Sequence, residues 1–219
     1  MARARKILEA IGAPHPRFWW NSDDNIRVIP AHVVSKLRRK KFTEAFTQRQ
    51  LRAITSYTGA GSNFRAINGQ LRGAGYADLS VVNPISWLQS DRMSLKNTID
   101  DLDSVVNNST LDKNMTLYRG IPFNIASHMI FGLHPGDHIQ DGGYMSTSKN
   151  EGHAEYFSRN GSALMVIHAK RGATAFEVPQ DLAGATWTGQ GEDEVIFPRD
   201  TVLEFTGKKG EEYNFDVVA

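Results

Sequence analysis

The spacing of apolar residues changes once along the chain, near residue 114, and no other feature restricts the fold class as strongly. Before this point, apolar residues repeat at helical spacing in three segments, which begin near residues 47, 62 and 91. After it, apolar and β-branched residues form short runs separated by glycine, proline and polar residues. Helices followed by strands are typical of α+β domains, in contrast to α/β folds in which the two alternate. The sequence therefore predicts an α+β domain.

The predicted elements after residue 90 are one long helix, one short helix and a series of strands. The long helix is expected over residues 91–106, where an apolar residue recurs about every third or fourth position. The short helix is expected over residues 151–158, because Asn150 is a favourable N-cap. The predicted strands comprise residues 115–119, 143–148, 163–169, 174–178, 194–197, 201–206 and 213–218.

Charged residues are unevenly distributed along the chain. Residues 1–41 carry ten Lys and Arg against three acidic residues, a net of +7, whereas the remaining 178 residues have a net of −6. Such a basic segment can contact an acidic partner or a nucleic acid. A solvated helix face is the more common outcome, so a nucleic-acid partner is not expected. We expect residues 1–45 to be a basic N-terminal extension that packs on or leads into a domain of residues 46–219.

Several classes of protein and site are excluded by absent features. The chain has no cysteine, so disulfides, thiolate metal sites and cysteine nucleophiles are excluded. No apolar run approaches the roughly 20 residues of a membrane span, and no signal peptide or membrane contact is expected. Gly59 and Gly61 lack the preceding strand and the third glycine of a dinucleotide fingerprint. His134 and His138 lie beside a Pro-Gly turn and do not supply the convergent ligands of a metal site.

Three short segments have the residue types of a catalytic site. Each of them alone has an ordinary structural explanation, as a surface arginine, an edge strand or a solvated strand start. Their combination and order are what make them informative. The segments are residues 117–120, 141–148 and 189–198, and they contribute Arg119, the triplet Ser146, Thr147 and Ser148, and the pair Glu192 and Glu194.

Together, the arginine, the Ser-Thr-Ser triplet and the Glu-x-Glu pair resemble the signature of the mono-ADP-ribosyltransferase toxin family. The wider segment of residues 143–148, Gly-Tyr-Met-Ser-Thr-Ser, is similar to the clostridial binary-toxin and C3-type branch. Tyr57, Asn68 and Arg72 resemble residues of the helix pair that precedes the catalytic core in that branch. The resemblance covers roughly residues 45–219. It implies the α+β ADP-ribosyltransferase fold, with a split β-sandwich core that follows N-terminal helices.

The resemblance also implies that NAD is the co-substrate and that no metal is required. Arg119 would hold the pyrophosphate through its planar fork of donors, which a lysine cannot copy. The main chain of Gly120 would meet the nicotinamide carboxamide. Glu194 would bind the ribose 2′-hydroxyl and stabilise the positive charge that develops as the N-glycosidic bond breaks, with Ser146 holding Glu194 by a hydrogen bond. The other residues that the resemblance places at NAD are Tyr57, Asn68, Arg72, Thr147, Ser148, Arg159 and an aromatic residue, Phe157 or its neighbour Tyr156.

The first glutamate of the pair, Glu192, indicates the acceptor. Residues i and i+2 of an extended chain share a face, so Glu192 and Glu194 are expected to point into one cleft. In the family, glutamate at this position accompanies arginine acceptors. A carboxylate can orient an incoming guanidinium, but it cannot deprotonate a group of pKa about 12.5–13.8 before reaction, so proton transfer accompanies or follows bond formation. The resemblance thus implies transfer of ADP-ribose to arginine side chains of a target protein.

Two other functions remain open on the sequence. An NAD glycohydrolase would share Arg119, Ser146 and Glu194 but would not need Glu192. A non-catalytic binding module would be marked by a broken triad, whereas here the triad is intact.

Actin or another nucleotide-dependent protein fits as the target. We expect the protein to act in the cytoplasm of a target or host cell, as a secreted effector or a phage-delivered one.

Overall fold

A computed structural model of the chain describes residues 45–59, 63–72, 95–121, 126, 129–157, 163–179, 182 and 193–218. All the elements named below, apart from the first residue of α1, belong to one compact unit that comprises residues 49–219. The extension predicted over residues 1–45 lies outside the described residues, except for residue 45. Its boundary with the following domain therefore stays a prediction.

Four helices occur in the described part of the chain. They are α1 (Gln48–Thr58), α2 (Asn63–Leu71), α3 (Leu95–Val106) and α4 (Glu151–Phe157). In α1, the buried residues Ala53, Ile54 and Tyr57 recur at helical spacing, which agrees with the periodicity expected from the sequence. None of these helices is long and apolar enough to cross a membrane.

The strands form one sheet of eight, in the order β2-β7-β8-β4-β1-β3-β6-β5. All neighbouring strands are antiparallel except β4 and β8, which are parallel. Among the described residues, three helices precede the first strand, which confirms the predicted α+β class. The strands are β1 (Met115–Ile121), β2 (His138–Asp141), β3 (Met145–Ser148), β4 (Ala163–Ala169), β5 (Phe176–Glu177), β6 (Glu194–Phe197), β7 (Thr201–Lys209) and β8 (Glu212–Val217).

Alternate residues of six strands form a continuous hydrophobic core. Leu117 and Ile167 oppose each other across β1 and β4, and both are fully buried. Val195 and Phe197 of β6 belong to the same cluster, as does Phe215 of β8. Because side chains alternate between the two faces of a strand, this core fixes which residues of β3 and β6 point to the other face.

The sheet is joined at its centre by a short ladder. β1 and β4 are in register along the whole of β1, whereas β1 and β3 are in register only at Tyr118 and Ser148. Beyond this pair the five strands that end in β1 separate from the three that begin with β3. This division is the structural counterpart of the predicted split β-core. The place beside Arg119 and Ser146 where the registered pairing of β1 and β3 ends is called the gap below.

The structure departs from the predicted strands at several places. β5 covers only Phe176–Glu177 of the predicted residues 174–178, and β7 continues to Lys209 instead of ending at residue 206. Sequence analysis missed β2, which is a short, polar edge strand paired with β7. The strand expected over residues 143–148 begins only at Met145, because contacts with α2 hold the preceding residues out of the sheet. The short helix begins where expected, and Asn150 Oδ1 accepts a hydrogen bond from the His153 N–H at 3.3 Å, as an N-cap does.

Candidate active site

The gap between β1 and β3 brings the first two predicted segments together. Arg119 is one residue beyond the Tyr118–Ser148 pair, where registered pairing has ended. Its Nη1 donates a hydrogen bond of 2.7 Å to the main-chain oxygen of Ser146. The Arg119 side chain is 23% exposed, so this guanidinium is fixed by the neighbouring strand and still faces solvent in part.

Glu194 lies on the strand that follows β3 in the sheet. It is directly opposite Ser148 in the antiparallel pair of β3 and β6, and directly opposed side chains point to the same face. Ser146 is two residues before Ser148, so its side chain points to this face as well. Glu194 is buried, at 6% exposure. The structure therefore places a buried carboxylate and two serine side chains on one face, while the hydrogen bond predicted between Ser146 and Glu194 stays a prediction.

Tyr57 of α1 contacts β3, the strand that carries the Ser-Thr-Ser triplet. Its hydroxyl oxygen lies 3.0 Å from Oγ of Ser146. Burial raises the pKa of Tyr57 to about 12, and the nearby charge of Glu194 acts in the same direction. The hydroxyl therefore keeps its proton at neutral pH and can donate a hydrogen bond. This contact orients Ser146 from outside the sheet.

Asn68 of α2 uses all of its side-chain hydrogens and one acceptor position to hold the same region. Its Oδ1 accepts a hydrogen bond of 2.9 Å from the Tyr144 N–H. Its Nδ2 donates to the main-chain oxygen of Tyr144 at 3.2 Å and to the Tyr57 hydroxyl at 3.1 Å. Asn68 thus fixes the chain two residues before Ser146. The direct contacts of Tyr57 and Asn68 with NAD stay predictions, and what the structure shows is that both side chains are buried against β3.

Gly143 permits this close approach of α2. A Cβ atom at Gly143 would lie 2.8 Å from Asn68 Oδ1 and 3.2 Å from Arg72 Nε. A side chain at this position would displace the Asn68 and Arg72 side chains and disturb their hydrogen bonds to Tyr144 and Asp141. Glycine therefore suits position 143 because α2 side chains pack closely there, in addition to its place in a turn.

Asp141 joins the two arginines that the sequence assigned to NAD, and sequence analysis gave this residue no role. It accepts two hydrogen bonds of 2.7 Å, from Nε and Nη2 of Arg72. Nη2 of Arg119 lies 3.9 Å from Asp141 Oδ2. A Gly143 N–H completes the set at 2.9 Å. The cluster has two guanidinium groups and one carboxylate, and so it keeps a net positive charge at the gap.

The pKa values of this cluster follow from burial and from the ion pair. Burial alone would raise the pKa of Asp141, but the hydrogen bonds and charge of Arg72, the Gly143 N–H and the charge of Arg119 together outweigh it, so the pKa lies below its ordinary value. The hydrogen bonds to Asp141 raise the pKa of Arg72. Burial lowers the pKa of Arg119, although Asp141 opposes that effect. Both arginines remain fully charged at neutral pH, because an ordinary arginine pKa is above about 12.

We expect Asp141→Asn to lower the free energy of unfolding at pH 7 by about 1 kcal/mol, because two hydrogen bonds between charged groups are weakened and solvent partly screens them at Arg72, whose side chain is 38% exposed. The pKa of Asp141 is lower in the folded chain than in the unfolded chain. The stabilisation is therefore present above the unfolded pKa of about 4 and is lost as the pH falls through the folded value. Urea titrations of the two proteins should give unfolding free energies that converge below about pH 4.

Asp100→Asn is the matched control for this experiment. Asp100 accepts a hydrogen bond of 2.6 Å from Lys96, but its side chain is 52% exposed. An exposed pair of this kind contributes less than about 0.5 kcal/mol. Equal losses of stability in the two variants would show that Asp141 is no more important than a surface residue.

A second network supports β3 from α3, and it too was missed from the sequence. The Tyr144 hydroxyl lies 2.7 Å from Asp103 Oδ1 and donates to it. Arg199 pairs with the other oxygen of Asp103 at 2.9 Å. Burial raises the pKa of Tyr144, and the hydrogen bond to Asp103 adds to this effect. No local signal in the sequence could have found these partners, since 41 residues separate Tyr144 from Asp103.

The remaining predicted site residues divide into those near the gap and those outside the described residues. Thr147 is buried and donates to the main-chain oxygen of Val195 at 2.8 Å, which ties β3 to β6. Ser148 Oγ accepts a hydrogen bond from the Asn150 N–H. Glu192 and Arg159 lie outside the described residues, as do the side chains of Tyr156 and Phe157. Their predicted roles stay predictions.

The backbone at Asp193 is not extended, whereas the sequence analysis assumed an extended chain between the two glutamates. Asp193, between the two glutamates, has a φ of 46° and lies in the left-handed region. β6 begins only at Glu194. The rule that residues i and i+2 share a face holds for an extended chain, so it does not apply across Asp193. The extended-strand argument therefore does not support placing Glu192 and Glu194 in one cleft, and the direction in which Glu192 points stays a prediction.

The described residues of the gap suit an anionic ligand that develops positive charge at its reacting atom. Arg119 and Arg72 present guanidinium groups at 23% and 38% side-chain exposure, and guanidinium groups bind phosphate oxygens in pairs. Glu194 provides a fixed carboxylate on β6, the strand next to β3. In the described ranges, no three His, Asp or Glu side chains are placed to share a metal ion.

Most of the chain matches one known protein family. Residues 35–214 match the model described as ADP-ribosyltransferase exoenzyme. The match includes α1 to α4, β1 to β7 and the first three residues of β8. No curated protein matches the chain.

Solved structures with similar folds are ADP-ribosyltransferase toxins. Plx2a from Paenibacillus larvae superposes with a TM-score of 0.59 at 22% identity, and the match covers 86% of this chain and 95% of that one. C3stau2 from S. aureus, solved with NAD, gives 0.59 at 17% identity and covers 87% and 97%. Vis toxin from Vibrio splendidus gives 0.54 at 16% identity and covers 89% of both chains. At these identities the likeness establishes the fold.

Proposed function

This chain belongs to the ADP-ribosyltransferase exoenzyme family, and from that premise we propose that it transfers ADP-ribose from NAD to arginine side chains of a target protein and releases nicotinamide. The family supports the transferase chemistry and NAD as the co-substrate. The choice of arginine as the acceptor is the finer part of the proposal. It rests on Glu192, whose position lies outside the described residues.

One observation carries the proposal. Arg119 bonds to Ser146 in the gap between β1 and β3, and Glu194 lies on the same face as Ser146, one strand further along the sheet. This arrangement puts a pyrophosphate-binding group on β1 and a fixed carboxylate on β6, the two strands on either side of β3. Residues held on strands keep their spacing better than residues on loops, and preorganised charges stabilise a transition state without the cost of reorganisation.

The proposed reaction breaks one bond and forms one bond at C1′ of the nicotinamide ribose. The electron pair of the C1′–nitrogen bond leaves with nicotinamide, which becomes neutral. A guanidino nitrogen of the acceptor forms the new bond to C1′ and loses one proton, which Glu192 accepts as the bond forms or afterwards. Glu194 lowers the barrier because a fixed carboxylate interacts more strongly with the positive charge that develops on the ribose than with the ground state.

A relative of the same fold supports a guanidinium acceptor. Vis from Vibrio splendidus has been solved in complex with agmatine, which carries a guanidinium group like that of arginine. Its structure matches this chain with a TM-score of 0.53 at 18% identity. Agmatine is therefore a suitable small acceptor with which to test this protein.

The experiment that tests the proposal compares the wild type with Glu192→Gln. Both are incubated with labelled NAD, with and without agmatine, and labelled agmatine and free nicotinamide are measured together. We expect Glu192→Gln to lower transfer to agmatine by about thirtyfold and to change NAD hydrolysis by less than about twofold, because only transfer uses a carboxylate to orient the acceptor.

The two measured products separate the proposal from its alternatives. Nicotinamide release by the wild type with no labelled agmatine and no labelled protein in bacterial or eukaryotic lysates would favour an NAD glycohydrolase. The absence of nicotinamide release under all these conditions would favour a non-catalytic binding module. A labelled lysate protein that resists Glu192→Gln would contradict arginine as the acceptor.

A further inference from the structure

The turn between the two glutamates is held in a conformation that few residues adopt. Asp193 has a φ of 46°, and left-handed backbone at a residue other than glycine persists where neighbouring contacts fix it. The φ of Asp193 sets the direction in which the chain arrives from Glu192. Whatever holds Asp193 therefore controls how Glu192 is placed relative to Glu194.

Lys149, the residue directly after β3, contacts Asp193 with both its main chain and its side chain. Its main-chain N–H donates a hydrogen bond of 3.1 Å to the main-chain oxygen of Asp193, one step past the pairing of Ser148 with Glu194. Its ammonium nitrogen lies 3.7 Å from Asp193 Oδ1. Two independent contacts thus join the end of β3 to the turn.

Glu177 of β5 fixes the Lys149 side chain from the other side. The Lys149 ammonium donates a hydrogen bond of 2.7 Å to Glu177 Oε1. Next to Glu177, the Val178 N–H donates to the main-chain oxygen of Glu194 at 2.9 Å. The ammonium therefore lies between the ends of three neighbouring strands, β3, β5 and β6, at the point where the turn enters β6.

We propose that Lys149 is a positioning residue for acceptor transfer, because its contacts with Asp193 and Glu177 fix the turn that joins Glu192 to Glu194. This inference rests on the proposed function, in which Glu192 orients the acceptor. Lys149 acts on the acceptor step and not on the breaking of the glycosidic bond. Ser146 and Glu194 are held by the β3–β6 pairing and the Thr147 hydrogen bond to Val195. Arg119 is held by the pairing of β1 with β4.

The test uses Lys149→Met, which keeps the length of the side chain and removes its charge, and Lys149→Arg, which restores a charge. Transfer to agmatine and NAD hydrolysis without acceptor are measured for the full chain. We expect Lys149→Met to lower transfer by about tenfold, because small displacements of an orienting group have large effects on rate, and to leave hydrolysis within about twofold. Lys149→Arg should recover at least about half of the lost transfer.

Lys96→Met is the matched control, because Lys96 makes an ion pair of 2.6 Å with Asp100 on the exposed side of α3. It should leave both activities at the wild-type level. Asp193→Gly is a second test variant. It should also lower transfer selectively, because glycine does not confine φ to one region and the turn before Glu194 would no longer be fixed. The melting temperature of each variant is measured in the same samples.

Each outcome decides between the inference and its rivals. Parallel losses of transfer and hydrolysis in Lys149→Met, or wild-type transfer in that variant, would overturn the positioning role and leave the proposed function standing. Failure of the wild type to modify agmatine or lysate arginine would overturn both. Selective loss of transfer in Lys149→Met and Asp193→Gly, with recovery in Lys149→Arg, is the expected result.

Discussion

Glu194→Gln is expected to lower both NAD hydrolysis and ADP-ribose transfer by about a thousandfold, the loss that follows when a preorganised electrostatic contact to developing charge is removed. The amide has the size of the carboxylate but no negative charge. Glu194 is 6% exposed and begins a strand that pairs with β3 on one side and β5 on the other. The substitution therefore changes the charge of the site and little of its shape.

The measurement is nicotinamide release at saturating NAD, with thermal unfolding as the test of folding. Glu204→Gln is the control, because Glu204 lies on β7 with a side chain that is 45% exposed. It should retain wild-type rates. Residual activity above about a tenth of the wild-type rate in a folded Glu194→Gln protein would exclude Glu194 as the residue that stabilises the transition state.

Arg119→Lys is expected to lower kcat/KM for NAD by about a hundredfold, which corresponds to the ~3 kcal/mol that a hydrogen bond to a charged group can contribute. Arg119 uses Nη1 for Ser146, and its Nη2 lies near Asp141. Its planar fork can keep the strand contact and still present donors to a phosphate. A lysine has one ammonium, so it cannot reach the Ser146 oxygen and the ligand in the same geometry.

Initial rates over a range of NAD concentrations measure this effect, and they separate KM from kcat. Arg49→Lys is the control, because Arg49 pairs with Asp101 at 3.2 Å and its side chain is 62% exposed. An Arg119→Lys protein with the kcat/KM of the wild type would show that the positive charge alone is sufficient. The bidentate role proposed for the guanidinium would then be wrong.

The fold class and the family were accessible from the sequence because their signals are local. Apolar spacing reports which segments are helices and which are strands, since each element buries one face. The order of Arg119, the Ser-Thr-Ser triplet and Glu194 identifies the family without any knowledge of distances. The structure then places Arg119 against Ser146, and Glu194 on the same face as Ser146. The roles assigned to these residues at NAD stay predictions for the variants above.

The order of amino acids is enough to indicate the α+β architecture and the residues of the candidate site. Tertiary structure alone decided how those residues are held. The Tyr57–Ser146 contact joins residues 89 apart, and the Arg72–Asp141 pair joins residues 69 apart. Hydrogen bonds and ion pairs of this kind depend on distances in space, so they leave no periodic pattern in the chain. The turn at Asp193 is a further case, because aspartate tolerates the left-handed region but is common outside it, and only the contacts with Lys149 show that the turn is fixed.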